Sequence, residues 1–376
     1  MNVAEIAGPG VRLRGFQATD LDDLVTGYDD AVTRRFMPPV PSPFTRSAGE
    51  WYLQHGVPDV FAEGGAIYAI ADPVSDRLLG GIGLDKVVPS RRQAEIGYWV
   101  GPWARRRGVA TAAVRALSDH VLSAGCERLE LLTHLDNAPS QRVALAAGYQ
   151  REGVRRGALK SRVGARDDLL AYARLATDPP GPTPRLLPDL PGGELTDGTV
   201  TLRPLTGDDI DFYAELHNHP DVISTSVPPI PPSAEETRRR CAWAESHWLE
   251  GTKADLVITD TATGTPAGEI SLYYQEPPTA QAMIGYSMLP AWRGRGFPTR
   301  AAQLLSLWTF AETNIARLIA GALPTNAGSQ RVLQKAGFKQ EAYLRSRLPG
   351  VTGRVDDVQF VLLAEDLLIE GAKLDG

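Results

Sequence analysis

Arg105-Arg106-Arg107-Gly108-Val109-Ala110-Thr111 follows the strand-like run Glu95-Ile96-Gly97-Tyr98-Trp99-Val100 and opens a long helix-like segment. The placement decides how these residues read. The first turn of a helix carries amides without internal partners and a partial positive charge, so it can hold a pyrophosphate. Gly108 permits close backbone approach, and arginines supply charge-assisted contacts to phosphate oxygens. Away from such a junction an arginine run would be a solvated face. Downstream, Val109, Ala112, Ala113, Ala116, Leu117, Val121 and Leu122 recur at helical spacing, and Ala124-Gly125 provides a stop, which predicts a helix near 107–124.

The junction occurs twice. Arg293-Gly294-Arg295-Gly296-Phe297-Pro298-Thr299 precedes a second helix expected near 296–313. Laid over itself, the chain repeats at an offset of 189: Val11-Arg12-Leu13-Arg14 against Val200-Thr201-Leu202-Arg203, and Ser140-Gln141-Arg142-Val143 against Ser329-Gln330-Arg331-Val332. Glu95-Ile96-Gly97-Tyr98 answers Met283-Ile284-Gly285-Tyr286 at 188, as a one-residue change in a loop would produce. Two domains are therefore expected, 1–176 and 199–376, joined by a proline-rich linker at 177–198. Each alternates strand-like and helix-like segments, as an α/β or α+β domain does. In the first, strands are expected near 11–16, 66–71, 78–88, 94–100, 128–134, 149–155 and 168–174, and further helices near 20–30, 46–56 and 138–147.

Composition narrows the function classes. With 43% hydrophobic and 22% charged residues and no long apolar run, the 376-residue chain reads as soluble, with no membrane partner. A net charge of -6 speaks against nucleic acid and suits a cationic substrate. The first ten residues show no secretory pattern, so the cytoplasm is expected, and Cys126 and Cys241 read as reduced packing residues. His217 and His219 lack a third ligand at metal spacing and read as a surface helix end, so no metal is expected.

The two junctions resemble the acetyl-CoA motif of the GNAT acetyltransferases, Gln/Arg-x-x-Gly-x-Gly/Ala. Arg105, Gly108 and Ala110 fit it in the first copy, and Arg293 and Gly296 in the second, where Pro298 takes the small-residue place. The Glu95–Trp99 strand, and Asn137-Ala138-Pro139-Ser140 with its repeat Asn326-Ala327-Gly328-Ser329, are similar to the branch that acetylates N-terminal amines of ribosomal proteins. The resemblance implies two tandem GNAT domains, each with a mixed central sheet whose middle strands splay to admit the pantetheine arm of acetyl-CoA. It implies that Glu95 removes the ammonium proton through water, that a backbone amide at Trp99 or Val100 stabilises the oxyanion, and that Ser140 serves the departing thiolate. It further implies cofactor contacts from Asn137 and residues 105–111, and, in the second copy, from Arg293, Gly294, Arg295, Gly296, Asn326 and Ser329. Met283 stands where Glu95 does, so the second copy is expected to bind cofactor weakly or to shape the substrate site, unless Glu269 on the preceding strand substitutes.

Blander readings stand beside these. Asn137 and Ser140 could cap the following helix, Tyr98 and Trp99 could be core, and Asp167-Asp168 could form a turn or meet an arginine. Asp20, Asp22, Asp23, Asp29 and Asp30 could attract a cation or be a solvated helix face. The acceptor is then a primary amine, either a peptide or protein N-terminus or a small amino compound such as an antibiotic or natural product. A non-catalytic acyl-CoA-binding module is the alternative from a different class. A monomer is expected, with the tandem copies internalising a dimer-like contact.

Overall fold

The computed structural model describes residues 4–37, 40–162 and 164–368. The chain divides into two compact units, Met1–Pro184 and Arg185–Gly376, each built on an eight-stranded sheet. In the N-terminal unit the strands are β1 (Ile6–Gly8), β2 (Val11–Arg14), β3 (Ala66–Ala71), β4 (Leu78–Val88), β5 (Gln93–Val100), β6 (Arg128–His134), β7 (Gln150–Lys160) and β8 (Arg166–Leu175). Their spatial order is β1-β2-β3-β4-β5-β6-β8-β7. Helices α1 (Leu21–Tyr28), α2 (Ala31–Phe36), α3 (Arg46–Trp51) and α4 (Val57–Ala62) lie between β2 and β3, a π turn at Tyr52–Gly56 joining the last two. Helix α5 (Val109–Ser123) connects β5 to β6, and α6 (Ala138–Ala146) connects β6 to β7.

Every pairing is antiparallel except that of β5 with β6. That parallel pair holds register only over Gln93–Arg128, Ala94–Leu129 and Glu95–Glu130. Beyond it the two strands diverge, so Ile96–Val100 faces a gap on its β6 side. The mixed, splayed sheet expected from the resemblance is thus present. It is held by α5, whose Val109, Ala113, Val114 and Leu117 are buried, over a core that includes Leu13, Ile70, Ile82, Ile96 and Leu131. Each fully buried aliphatic side chain there is worth roughly 1.5–3 kcal/mol.

The C-terminal unit repeats the plan with β9 (Leu195–Thr196), β10 (Val200–Pro204), β11 (Lys253–Asp260), β12 (Pro266–Glu276), β13 (Gln281–Met288), β14 (Arg317–Ala322), β15 (Lys339–Pro349) and β16 (Arg354–Leu363). Its helices are α7 (Ile210–Asn218), α8 (Pro220–Ile223), α9 (Ala234–Glu250), α10 (Phe297–Glu312), α11 (Ala327–Lys335) and α12 (Ala364–Leu368). Its parallel pair, β13 with β14, also ends after three residues, at Met283–Ile319.

The segment 177–198 differs from a free linker. Thr183 donates from its amide to the Leu145 carbonyl and from its hydroxyl to the Tyr149 carbonyl, which ties the first part to the N-terminal unit. Leu187 and Leu190 are buried in the C-terminal core, and the Trp248 indole donates to Pro188 O at 2.9 Å. Proline richness keeps the segment out of the sheet interiors, but its leucines still have apolar surface to bury. Helix α2 also departs from expectation, being short and without an apolar stripe. It forms because Asp30 caps it, accepting from the Thr33 amide at 3.0 Å.

Candidate active site

The gap is bordered differently on its two faces. Side chains alternate along β5, so Glu95, Gly97 and Trp99 point to the face covered by α1 and α3, and Tyr98 points to the opposite face. Glu95 is largely buried and accepts from Lys86 Nζ at 2.9 and 2.8 Å through its two oxygens. An ammonium therefore already rests on this carboxylate. Beside it, a Cβ added at Gly97 would meet nothing within 4 Å, so the face is open between Glu95 and Trp99. The Trp99 ring closes the far end, packing on Tyr28 with centroids 4.7 Å apart. It needs glycine on both sides: a Cβ at Gly27 would lie 2.2 Å from the ring and one at Gly81 2.6 Å from its Nε1.

On the opposite face the Tyr98 hydroxyl lies 2.9 Å from Ser140 Oγ. Burial pushes the phenol well above its ordinary pKa, so it stays protonated at neutral pH and able to donate. This hydroxyl pair joins a strand to a helix 42 residues away, so Tyr98, a core candidate by sequence, also carries a polar contact. The available signal was its repetition, since Tyr286 and Ser329 recur together and their hydroxyls lie 2.8 Å apart.

Backbone amides complete the site. Gly101 donates to Leu79 O on β4, so alternation turns the Trp99 amide toward β4 as well and the Val100 amide toward the gap. Of the two amides considered for the oxyanion, the geometry offers that of Val100. Just beyond, Arg106 (φ 60°) and Gly108 (φ 76°) both adopt left-handed backbone, a pattern that turns successive N–H groups into one concavity at the start of α5. Arg106, Arg107 and Gly108 are exposed there, followed by Val109, Ala110 and Thr111 in the first turn.

Arg105 is used otherwise. Its Nε donates to the Val100 carbonyl at 3.1 Å and its Nη2 to Asp30 and Thr33, so its guanidinium pins α2 to the end of β5 instead of pointing out for phosphate. Arg293 does the same in the second unit, through Met288 O and Asp221. Asn137 caps α6, its Oδ1 accepting from the Ser140 amide at 3.3 Å, while its amide nitrogen has no partner among the described residues. The acidic run is internally neutralised: Asp20 meets Arg14, Asp22 meets Arg46, Asp23 meets Arg77, Asp29 meets Arg34 and Asp30 meets Arg105. It offers no free cluster to a cation. Asp168 accepts from the Gly157 amide at 2.7 Å and holds the β7–β8 hairpin.

The profile of the acetyltransferase (GNAT) domain matches residues 11–150 and again 199–339. The chain belongs to the GNAT acetyltransferase family. Among curated proteins, Probable N-acetyltransferase YjcK of Bacillus subtilis (strain 168) is 38% identical over 82 residues, 22% of this chain and 45% of that protein. The Ribosomal-protein-serine acetyltransferase of Escherichia coli (strain K12) is 34% identical over 101 residues, 27% of this chain and 56% of that protein. The chain thus spans about half the length of these relatives. Among solved structures, Mycobacterium smegmatis RimJ in complex with CoA-disulfide aligns over 46% of this chain and 88% of its own at 21% identity, with a TM-score of 0.41.

The second GNAT unit keeps the helix-start geometry, with Gly294 (φ 75°) and Gly296 (φ 81°) in the left-handed region and Arg295 stacked over Trp292. Asn326 caps α11 by accepting from the Ser329 amide at 3.0 Å. Its sheet face is another matter. His217, expected at a surface, is largely buried on α7 with Nε2 2.9 Å from Glu269 Oε1 on β12. Nearby, Asp255 is buried and contacted by Arg240 at 2.8 Å, Lys253 at 2.9 Å and Ser271 Oγ at 2.6 Å. Sequence spacing could not bring these together, because they come from two helices and two strands.

No helix among the described residues is long and apolar enough to cross a membrane.

Proposed function

We propose that the N-terminal GNAT unit transfers an acetyl group from acetyl-CoA to a primary amine by direct attack on the thioester. The observation that carries this reading is the gap beside Ile96–Val100. A carboxylate already holding an ammonium flanks it on one face and paired hydroxyls flank it on the other. In this reading the acceptor ammonium takes the place of Lys86 on Glu95 and loses its proton there, directly or through water. The free amine attacks the acyl carbon from the open face over Gly97. The Val100 amide donates to the developing oxyanion, which it favours more in the transition state than in the ground state. As the C–S bond breaks, its electron pair stays on sulfur and the Tyr98–Ser140 pair supplies the proton. Residues 106–111 hold the pyrophosphate by amides and charge, Arg105 only positioning the strand end, and the free Asn137 amide nitrogen holds the pantetheine arm.

The acceptor is read as a peptide or protein N-terminus, or else a small amino compound. A relative whose name specifies a ribosomal-protein serine supports the first. Residues 1–176 are the acting unit in this proposal, with 177–198 joining it to 199–376. The protein works as a cytoplasmic monomer without a metal.

Two outcomes test it by following CoA thiol release with a panel of amines. Glu95→Gln is expected to lower kcat/KM for the N-terminal unit's acceptor by roughly 10²-fold or more at neutral pH, with part of the loss recovered at high pH as free amine accumulates. A loss unchanged across pH would remove Glu95 from proton transfer. Tyr98→Phe should lower kcat by roughly 10²-fold with KM for acetyl-CoA little changed. An unaltered kcat would make the phenol a packing group.

A further inference from the structure

Between the two units, in equivalent sheet register, a carboxylate stands at a different place. Glu269 on β12 pairs with Ser287 on β13, as Gly81 pairs with Trp99 in the first unit. His217 on α7 correspondingly stands where Tyr28 stands on α1. So where the N-terminal unit packs an aromatic plug, the C-terminal unit holds an imidazole and a carboxylate. Where the first unit has Glu95, the second has Met283. Between the two positions lie four residues, roughly 13 Å along the strand.

This places a carboxylate beside the gap of the C-terminal unit, where the first unit has only Gly81. The β13–β14 pairing ends at Met283–Ile319, so the gap opens alongside Ile284–Met288, and Ser287 lies within that stretch. Met283 stands at the last paired position, at the edge of the gap, as Glu95 does in the first unit. The face between is empty, a Cβ at Gly285 meeting only Tyr273 at 3.8 Å. Glu269 Oε2 and Asp255 Oδ2 are buried without a hydrogen-bond partner, His217 Nε2 lies 2.9 Å from Glu269 Oε1, and Asp255 is 2% exposed. Buried polar atoms left unpaired cost about 1–3 kcal/mol each, so their convergence beside open space marks a place for a polar ligand. Arg240 and Lys253 both lie against Asp255 Oδ1, which leaves Glu269 Oε2, beside His217, as the carboxylate oxygen open to an incoming ammonium.

Near the C-terminal ends of α7 and β14 a mostly apolar cleft of about 510 Å³ is lined by Pro220, Ile223, Val227, Leu323, Val351 and Val355. Leu323 directly follows β14, and Pro220 begins α8 two residues after α7 ends. In the first unit the position of Val351 is Arg162, whose Nη2 donates to the Met37 and Val40 carbonyls at 3.2 and 2.6 Å.

We infer that the C-terminal unit is a second acyl-transfer site, with Glu269–His217 as its proton acceptor, for a primary amine carrying an apolar body. This rests on the acetyl-transfer reading of the family. In the step, the ammonium gives one proton to Glu269, shared with His217. Its nitrogen bonds the acyl carbon, and the C–S bond breaks toward sulfur. The thiolate takes a proton from the Tyr286 hydroxyl, which lies beside Ser329, and the adduct's remaining ammonium proton restores that phenol. One proton is released overall.

The experiment uses the full chain with Glu95→Gln to silence the first unit, acetyl-CoA, and phenethylamine as the probe, with ethanolamine as the polar control. Thiol release with phenethylamine should persist in Glu95→Gln and fall at least 100-fold on adding Glu269→Gln or His217→Gln. In the same background Val351→Arg, at a position 84% exposed, should raise KM for phenethylamine about tenfold with kcat held. A second readout needs no turnover: phenethylammonium should shift the imidazole NMR signal that His217→Gln removes, and fail to shift it in Glu269→Gln. If wild type releases thiol with some amine and Glu95→Gln abolishes all of it, the inference is overturned and the first site stands. If wild type neither binds acetyl-CoA nor releases thiol with any amine, the acetyl-transfer reading falls and takes the second site with it.

Discussion

Gly108→Pro is expected to abolish acetyl-CoA binding at the N-terminal unit, measured by calorimetric titration of the full chain. Gly108 adopts φ 76°, whereas proline holds φ near −65° and removes an amide. The substitution therefore destroys the concavity that Arg106 and Gly108 form together and misplaces the first turn of α5. Charge-assisted hydrogen bonds contribute about 1.5–3 kcal/mol each, so losing even one or two should weaken binding by roughly 10²-fold or more. Gly296→Pro, at φ 81°, makes the equivalent change in the second unit and should leave the first unit's binding isotherm intact. Arg105→Ala discriminates further. Because its guanidinium is tied to Val100 and Asp30, it should disturb α2 and the acceptor side more than the affinity for acetyl-CoA. Equal losses of acetyl-CoA affinity in Arg105→Ala and Gly108→Pro would return the arginine to the phosphate.

Arg14→Met should destabilise the N-terminal unit by about 3–5 kcal/mol, the usual cost of removing one member of a buried ion pair. Arg14 and Asp20 are each 3% exposed, and two nearly parallel bonds of 2.8 Å join them. Asp76 adds a third contact at 2.6 Å. Methionine would fill much of the volume but leave Asp20 charged, buried and facing no cation. Scanning calorimetry should show the transition of this unit lowered by roughly 6–20 °C, the range that this free energy implies for a domain of its size. Arg203→Met is the internal control. It breaks the same bidentate pair with Asp209, but Arg203 is about one-third exposed, so the shift should be smaller. A change below 2 °C for Arg14→Met would mean that the buried network contributes nothing net, as a well-packed apolar replacement can achieve.

The glutamate at position 95 illustrates how far a strand pattern carries. Alternation along Glu95–Val100 by itself places Glu95 and Trp99 on one face and Tyr98 on the other. It does not say that Lys86, nine residues earlier, folds back to hold both carboxylate oxygens. From sequence, Trp99 fits both a cofactor contact and a core position. Two glycines far apart in the chain, Gly27 and Gly81, make room for its ring against Tyr28, since a Cβ at either would clash with it. Asn137 shows the opposite case, in which both readings hold compatible parts of one side chain. Its oxygen caps α6 and its nitrogen stays free.

What the sequence by itself determined is periodic or local: the 189-residue repeat, the order of strands and helices, the glycine-punctuated junctions before α5 and α10, and with them the family. Such features depend on neighbours within a turn or two, so they are written in short windows. Only the tertiary structure decided which arginine faces outward at the junction, that Tyr98 meets Ser140, and that His217 leaves the surface to meet Glu269. These contacts join residues 42 and 52 positions apart through packing of separate elements, and no local propensity specifies which side chains a sheet face and its covering helices will bring together.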